Sequence, residues 1–121
     1  MQIRAIKEEN ADIALVSGEE IIINSAQDAL DLIVMVHYDY GCNKIIINKR
    51  NITEDFFELR NKLAGDIMQK FVNYEMAIAI VGDFESYTSS SLKSLIYESN
   101  KGNKILFSKT ETEAIEVFSR R

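Results

Sequence analysis

Met76-Ala77-Ile78-Ala79-Ile80-Val81 is an unbroken apolar run, and with Ile45-Ile46-Ile47 it decides the fold. A strand with one wet face alternates apolar and polar residues, and these stretches do not alternate. Short apolar runs of this kind mark strands covered on both faces, as in the parallel part of an α/β sheet. Residues 44–48 and 75–81 are therefore predicted to lie in the middle of such a sheet. Residues 104–108, with Ile105-Leu106-Phe107, read as a third strand of the same kind.

The segments between these strands have helical spacing. Ser25 precedes Asp28 by three residues, a variant of the capping box, and opens a helix that Gly41 stops. Ala26, Ala29, Leu30, Ile33 and Val36 form one stripe, and Leu32 and Met35 widen the apolar arc. Such an arc points either to a second packed element or to self-association as a homodimer. Thr53 can cap a helix carrying Phe56, Phe57 and Leu59, whose apolar face continues through Leu63, Ile67, Met68, Phe71 and Val72 to about residue 73. Gly65 within it either allows close packing or marks a break near Asn61-Lys62. Residues 88–100 form the next helix, with Leu92, Leu95 and Ile96 inward. Thr110 or Thr112 caps the last one, with Ala114, Ile115 and Phe118 inward.

At the N-terminus, residues 1–7 and 11–16 read as a hairpin around Glu8-Glu9-Asn10, and residues 20–23 as a short third strand. The predicted order is βββαβαβαβα. It implies an α/β fold whose mixed sheet has an N-terminal hairpin followed by right-handed βαβαβα crossovers, in a single domain spanning residues 1–121.

Composition narrows the function classes. The chain is 46% apolar and 27% charged, far from a disordered composition. Cys42 is its only cysteine, so no intrachain disulfide forms. The N-terminal residues carry no signal-like pattern, and the longest apolar runs fall far short of the roughly 20 residues that span a bilayer, so a cytoplasmic location and no membrane partner are expected. With a formal net charge of −5, and Lys49-Arg50 and Arg120-Arg121 as the closest basic pairs, nucleic acid is not expected as a partner.

The candidate chemistry is sparse. His37 is the only histidine, and Cys42 is the nearest nucleophile in sequence. A catalytic pair would need hydrogen-bond reach and a third, orienting group, and packing explains both residues more simply. One histidine and one cysteine do not make a zinc site, and no metal or other cofactor is expected. Asp83 follows Gly82 at the exit of the most buried strand, where open α/β sheets bind ligands, although Gly-Asp is also ordinary turn chemistry. Tyr87-Thr88-Ser89-Ser90-Ser91 opens a helix. Its hydroxyls could hold an anion, and N-capping by Thr88 or Ser89 explains them equally well.

Several blocks together carry a resemblance. They are Gln27-Asp28-Ala29-Leu30-Asp31-Leu32, Thr53-Glu54-Asp55-Phe56-Phe57-Glu58-Leu59, the stretch from Leu63-Ala64-Gly65-Asp66 to Val72-Asn73-Tyr74, Ala79-Ile80-Val81-Gly82-Asp83-Phe84, and Leu95-Ile96-Tyr97-Glu98-Ser99-Asn100-Lys101-Gly102. From about Ile22 to Phe118 the chain resembles a small bacterial family catalogued as domain of unknown function forty-one-eighty. That resemblance implies a fold type and no activity. The element order is also similar to STAS domains, the anti-sigma-factor-antagonist fold. STAS regulators carry an Asp-Ser-x-Gly-like phosphorylation motif. Here the corresponding region reads Asn51-Ile52-Thr53-Glu54-Asp55 or Arg60-Asn61-Lys62-Leu63-Ala64-Gly65 and offers no serine; Thr53 is the nearest hydroxyl. The resemblance thus implies a binding scaffold without that switch.

The expected function is a non-enzymatic regulatory or protein-interaction module. Its contact edge is expected at the strand exits: Asn51, Thr53, Asp83, Tyr87, Thr88 and Ser89. The rival expectation is a small-molecule or anion-binding domain, or a weak enzyme, using the same edge with Asp83 as acid or base.

Overall fold

The computed structural model describes residues 1–120, so Arg121 of the Arg120-Arg121 pair lies outside the described residues. Five strands form one sheet in the order β1 (Gln2–Glu8), β2 (Ala11–Ser17), β3 (Lys44–Asn48), β4 (Ala77–Val81) and β5 (Ile105–Ser108). β1 pairs antiparallel with β2, and the remaining pairs are parallel, which gives the mixed α/β sheet with a leading hairpin. The helices are α1 (Ala26–Tyr40), α2 (Leu63–Asn73), α3 (Ser90–Lys101) and α4 (Glu111–Arg120).

The apolar runs divide between two cores because successive strand residues point to opposite faces. Ile45, Ile47, Ile78, Ile80 and Phe107 join the front core with residues of α1, α2 and α3. Ile46, Ala77, Ala79, Val81 and Leu106 join the back core with Ala114 and Phe118 of α4. The strand order always advances in one direction, so crossovers of a single hand bring their helices to a single face. α4 takes the other face and crosses it from β5 towards β2, where Asn10 Nδ2 donates to Ser119 O (3.3 Å).

Local chemistry sets the element ends. Ser25 Oγ accepts from Asp28 N–H (3.1 Å), and Gly41 closes α1 with a φ of 64°. Ser89, not Thr88, caps α3 by accepting from Leu92 N–H (3.1 Å). Thr110, not Thr112, caps α4 by accepting from Glu113 N–H (3.1 Å). Near the end of α3, the Asn100 carboxamide accepts from Phe107 N–H (2.7 Å) and donates to Phe107 O (3.1 Å).

Two predicted elements differ. Residues 20–23 are not a strand. β2, the strand just before them, already has β1 on one side and β3 on the other, so its ladder is closed to them. Only Ile23 makes a bridge, with Ile52, and Ile21 stays about half exposed. The segment is held by Asn51. Its carbonyl accepts from Ile22 N–H (2.7 Å) and Ile23 N–H (3.0 Å), and its side-chain Nδ2 donates to Gly18 O (2.8 Å) and Glu20 O (2.9 Å). The segment from Thr53 to Asn73 is also not one helix: of the two readings given for it, the break near Asn61-Lys62 is the one that holds. Short 3-10 turns at Glu54–Phe57 and Leu59–Asn61 bury Phe56 and Phe57 and leave Glu54, Asp55 and Glu58 in water. The break falls at Lys62, whose φ of 66° ends the turns, and Asn61 Oδ1 accepts from Leu63 N–H (3.0 Å) to start α2.

The arc of α1 packs against α2, with Leu32 buried and Met35 half-buried.

Candidate functional site

A sheet opens a crevice where the loops after two neighbouring strands leave for opposite faces. In this chain that happens between β4 and β5. The loop after β4 runs to α3 on the front face, and the loop after β5 runs to α4 on the back. A cleft of about 420 Å³ lies there. Phe84, Ile96 and Phe107 supply apolar wall. Asp83, Glu85, Lys93, Ser108 and Lys109 supply polar groups. The last rung of the ladder, Gly82 N–H to Ser108 O (2.9 Å), forms its base.

The β4–α3 loop is fastened from several directions. Lys49 follows β3, and the register that pairs Asn48 with Val81 sets it beside Gly82. Its stem crosses the glycine: a Cβ there would lie 2.7 Å from Lys49 Cγ. Lys49 Nζ then donates to Asp83 O (2.7 Å) and stands 4.8 Å from the Tyr87 ring centre and 5.7 Å from that of Phe84, in cation–π range. Phe57, Phe84, Tyr87 and Phe107 form a connected ring cluster beneath it. Lys109 pairs with Glu85 (3.4 Å) across the mouth of the cleft.

The Tyr87 hydroxyl donates to Glu54 Oε2 (2.8 Å). Burial first, then this bond and the carboxylate's charge, push the phenol up from its ordinary 10.0 to about 12. The folded state favours the neutral phenol. Its contribution to stability is therefore whole below pH 10.0 and is lost as pH rises through about 12. Spectrophotometric titration of the wild type minus Tyr87→Phe is expected to show one phenol ionising near 12. Ionisation of that phenol at its ordinary value would mean the contact with Glu54 does not persist in solution.

The six residues expected at the contact edge do not form one surface. Asp83 is in the cleft, and its Oδ1 accepts from Glu85 N–H (2.9 Å), so it does hold a turn. Tyr87 is half-buried in the ring cluster beside the cleft. Thr53 Oγ1 accepts from Asp55 N–H (3.4 Å), and its N–H reaches Ile23 O (2.9 Å). Thr88 is exposed. Ser89 borders a separate depression of about 410 Å³ with Glu58, Arg60 and Ser91. Asn51 is fully buried and faces no solvent. Lys49, Phe84, Lys93, Ile96, Phe107 and Lys109 complete the site and were not singled out as its members. Gly82 beside a strand end was the one available signal for Lys49.

His37 and Cys42 are not a pair. His37 lies on the exposed side of α1 with its ring 4.7 Å from that of Tyr38. Cys42 is buried, its Sγ donates to Tyr40 O (3.5 Å), and Lys7 Nζ lies 4.0 Å from it. Burial pushes this thiol up, and the Lys7 ammonium pulls the other way. Among the described residues no three His, Cys, Asp or Glu side chains gather as a metal would require, and no helix is long and apolar enough to cross a membrane.

No curated protein and no solved structure matches the chain. One family model does match, and it spans residues 8–118, from the end of β1 through most of α4. It therefore takes in the whole crossover region and the cleft, and the chain belongs to the family described as a domain of unknown function (DUF4180).

Proposed function

We propose that the chain is a non-enzymatic interaction module that grips a partner protein at the β4–β5 crevice. One observation carries this reading. The cleft joins apolar wall (Phe84, Ile96, Phe107) to charged groups at its mouth, while the groups that could do chemistry are engaged in holding the loop. Asp83 is tied to Glu85 N–H, Lys49 to Asp83 O, and Tyr87 to Glu54. These bonds fix the β4–α3 loop in one conformation, so the hollow is preformed. A preformed apolar hollow with a polar rim is what protein interfaces use. The element order similar to STAS domains supports a regulatory role by analogy of fold alone.

The test is partner capture with Lys93→Glu/Lys109→Glu and, separately, Ile96→Glu. Circular dichroism and the unfolding midpoint serve as controls. Loss of a captured protein with the fold retained is the expected result. Retention of every partner by both variants sinks the assignment. The volume, about 420 Å³, also falls within the range of small-ligand sites, which favours anion or small-molecule binding as the second reading. A midpoint rise with one nucleotide or anion class in a thermal-shift screen, abolished by Lys93→Glu/Lys109→Glu, would select it.

A further inference from the structure

The strand-entry end of the molecule, opposite the crevice, carries a second hollow. It measures about 460 Å³, within the range of small-ligand sites, and lies between the C-terminal half of α1 and the turn from α2 into β4. Buried Ile33 and Met76 line it, and the exposed rings of His37, Tyr38 and Tyr74 stand around it with Glu75. We propose that this hollow binds a small organic cation, a methylated ammonium head group held between these rings and the Glu75 carboxylate.

Three observations select that chemistry. The first is the walls. The His37 and Tyr38 rings meet with their centres 4.7 Å apart and their planes at 81°, so they make a corner, and Tyr74 supplies a third ring from the end of α2. The face of an aromatic ring is negative and attracts a cation, and methylated ammonium groups are the ions that such corners take. The second is charge. Glu75 is the only Asp, Glu, Lys or Arg side chain lining the hollow, and it makes no ion pair among the described residues. α2 ends beside it at Asn73, and the C-terminal end of a helix dipole adds negative potential. An anion is repelled here and a cation is drawn in. The third is the backbone. Glu75 has a φ of 55°, in the left-handed region where glycine sits without strain and glutamate does not. A turn alone would be better served by glycine. The strain has a reason if the carboxylate is what this position supplies.

An NMR titration of the full chain with choline tests this. The control ligand is the uncharged alcohol of the same shape, in which carbon replaces the ammonium nitrogen. Choline is expected to bind with a Kd of about 1 mM or tighter and to shift the amides of His37, Tyr38, Tyr74 and Glu75. The alcohol is expected to bind at least ~10-fold more weakly, because it fills the same space without the charge. Glu75→Gln and Tyr38→Ala are each expected to weaken choline binding by at least ~5-fold. Tyr97→Ala, at an exposed ring on α3 outside the hollow, is expected to leave it unchanged. Glu75→Gly relieves the backbone, so it is expected to hold or raise the unfolding midpoint while weakening choline as Glu75→Gln does. No shifts with choline up to about 10 mM, equal binding of the alcohol, or binding that survives both Glu75→Gln and Tyr38→Ala each overturns the proposal. A midpoint that falls in Glu75→Gly gives the glutamate a structural task and overturns its assignment to the ligand. None of these results bears on the crevice, which lies at the other end of the strands.

Discussion

Phe118→Ala is expected to cost about 3–5 kcal/mol of folding stability, the largest effect of any single truncation on the back face. α4 is the helix that covers this face, and Phe118 is completely buried in it beside Ala114. It shares the back core with Ala77, Ala79 and Val81 of β4 and with Ile13, Leu15, Ile46 and Leu106 of the other strands. Removing the ring leaves a cavity that side chains on a paired sheet close only in part. A domain of this size is stable by about 5–15 kcal/mol, so the variant will stand near its unfolding threshold at physiological temperature. Urea denaturation read by circular dichroism measures the loss. A cost under about 1 kcal/mol would mean that α4 does not pack across the sheet in solution.

Asn51→Ala is expected to cost roughly 2–4 kcal/mol, although no apolar contact of note is removed. The side chain donates to Gly18 O and Glu20 O, and both carbonyls lose that donor together. The 18–24 loop then keeps its backbone bonds to residues 51 and 53, the bond from Asn24 N–H to Asp28 Oδ2, the Met1–Glu20 ion pair and the burial of Ile23. Asn51 Oδ1 is buried without a hydrogen-bond partner among the described residues, so the residue serves as a donor. Asn51→Asp is expected to be worse than alanine, because it sets a buried carboxylate against two carbonyl oxygens. The same urea titration checks both. A loss below about 0.5 kcal/mol for Asn51→Ala would show that the loop is anchored elsewhere.

The parallel strands were legible because burial on both faces leaves a local signature: isoleucines and alanines without polar interruption. The helix ends at Gly41 and Ser89 were legible for the same reason, since capping chemistry acts over three or four residues. Residues 20–23 misled because Ile21-Ile22-Ile23 has the composition of a strand, while strand formation needs an open ladder, and that depends on where β1 and β3 lie. Asn51 was read as a contact residue at a strand exit. Its burial is decided by a loop some 30 positions earlier, which no window around it contains. The crevice was legible only in part. Asp83 stood out through its place after the buried strand. Lys93, Ile96 and Lys109 enter the site because α4 takes the opposite face from α3, and Lys49 enters because of the β3–β4 register. Both are properties of the assembled sheet.

The bond pair between Asn100 and Phe107 bears on how these molecules can aggregate. β5 is the last strand, and the carboxamide occupies both groups of Phe107 much as an added strand would. β1, at the other margin, has no such side-chain cover among the described residues. Pairing of an added strand is therefore opposed at Phe107 and open along β1, so molecules stacking through backbone ladders join β1 to β1 more readily than they extend β5.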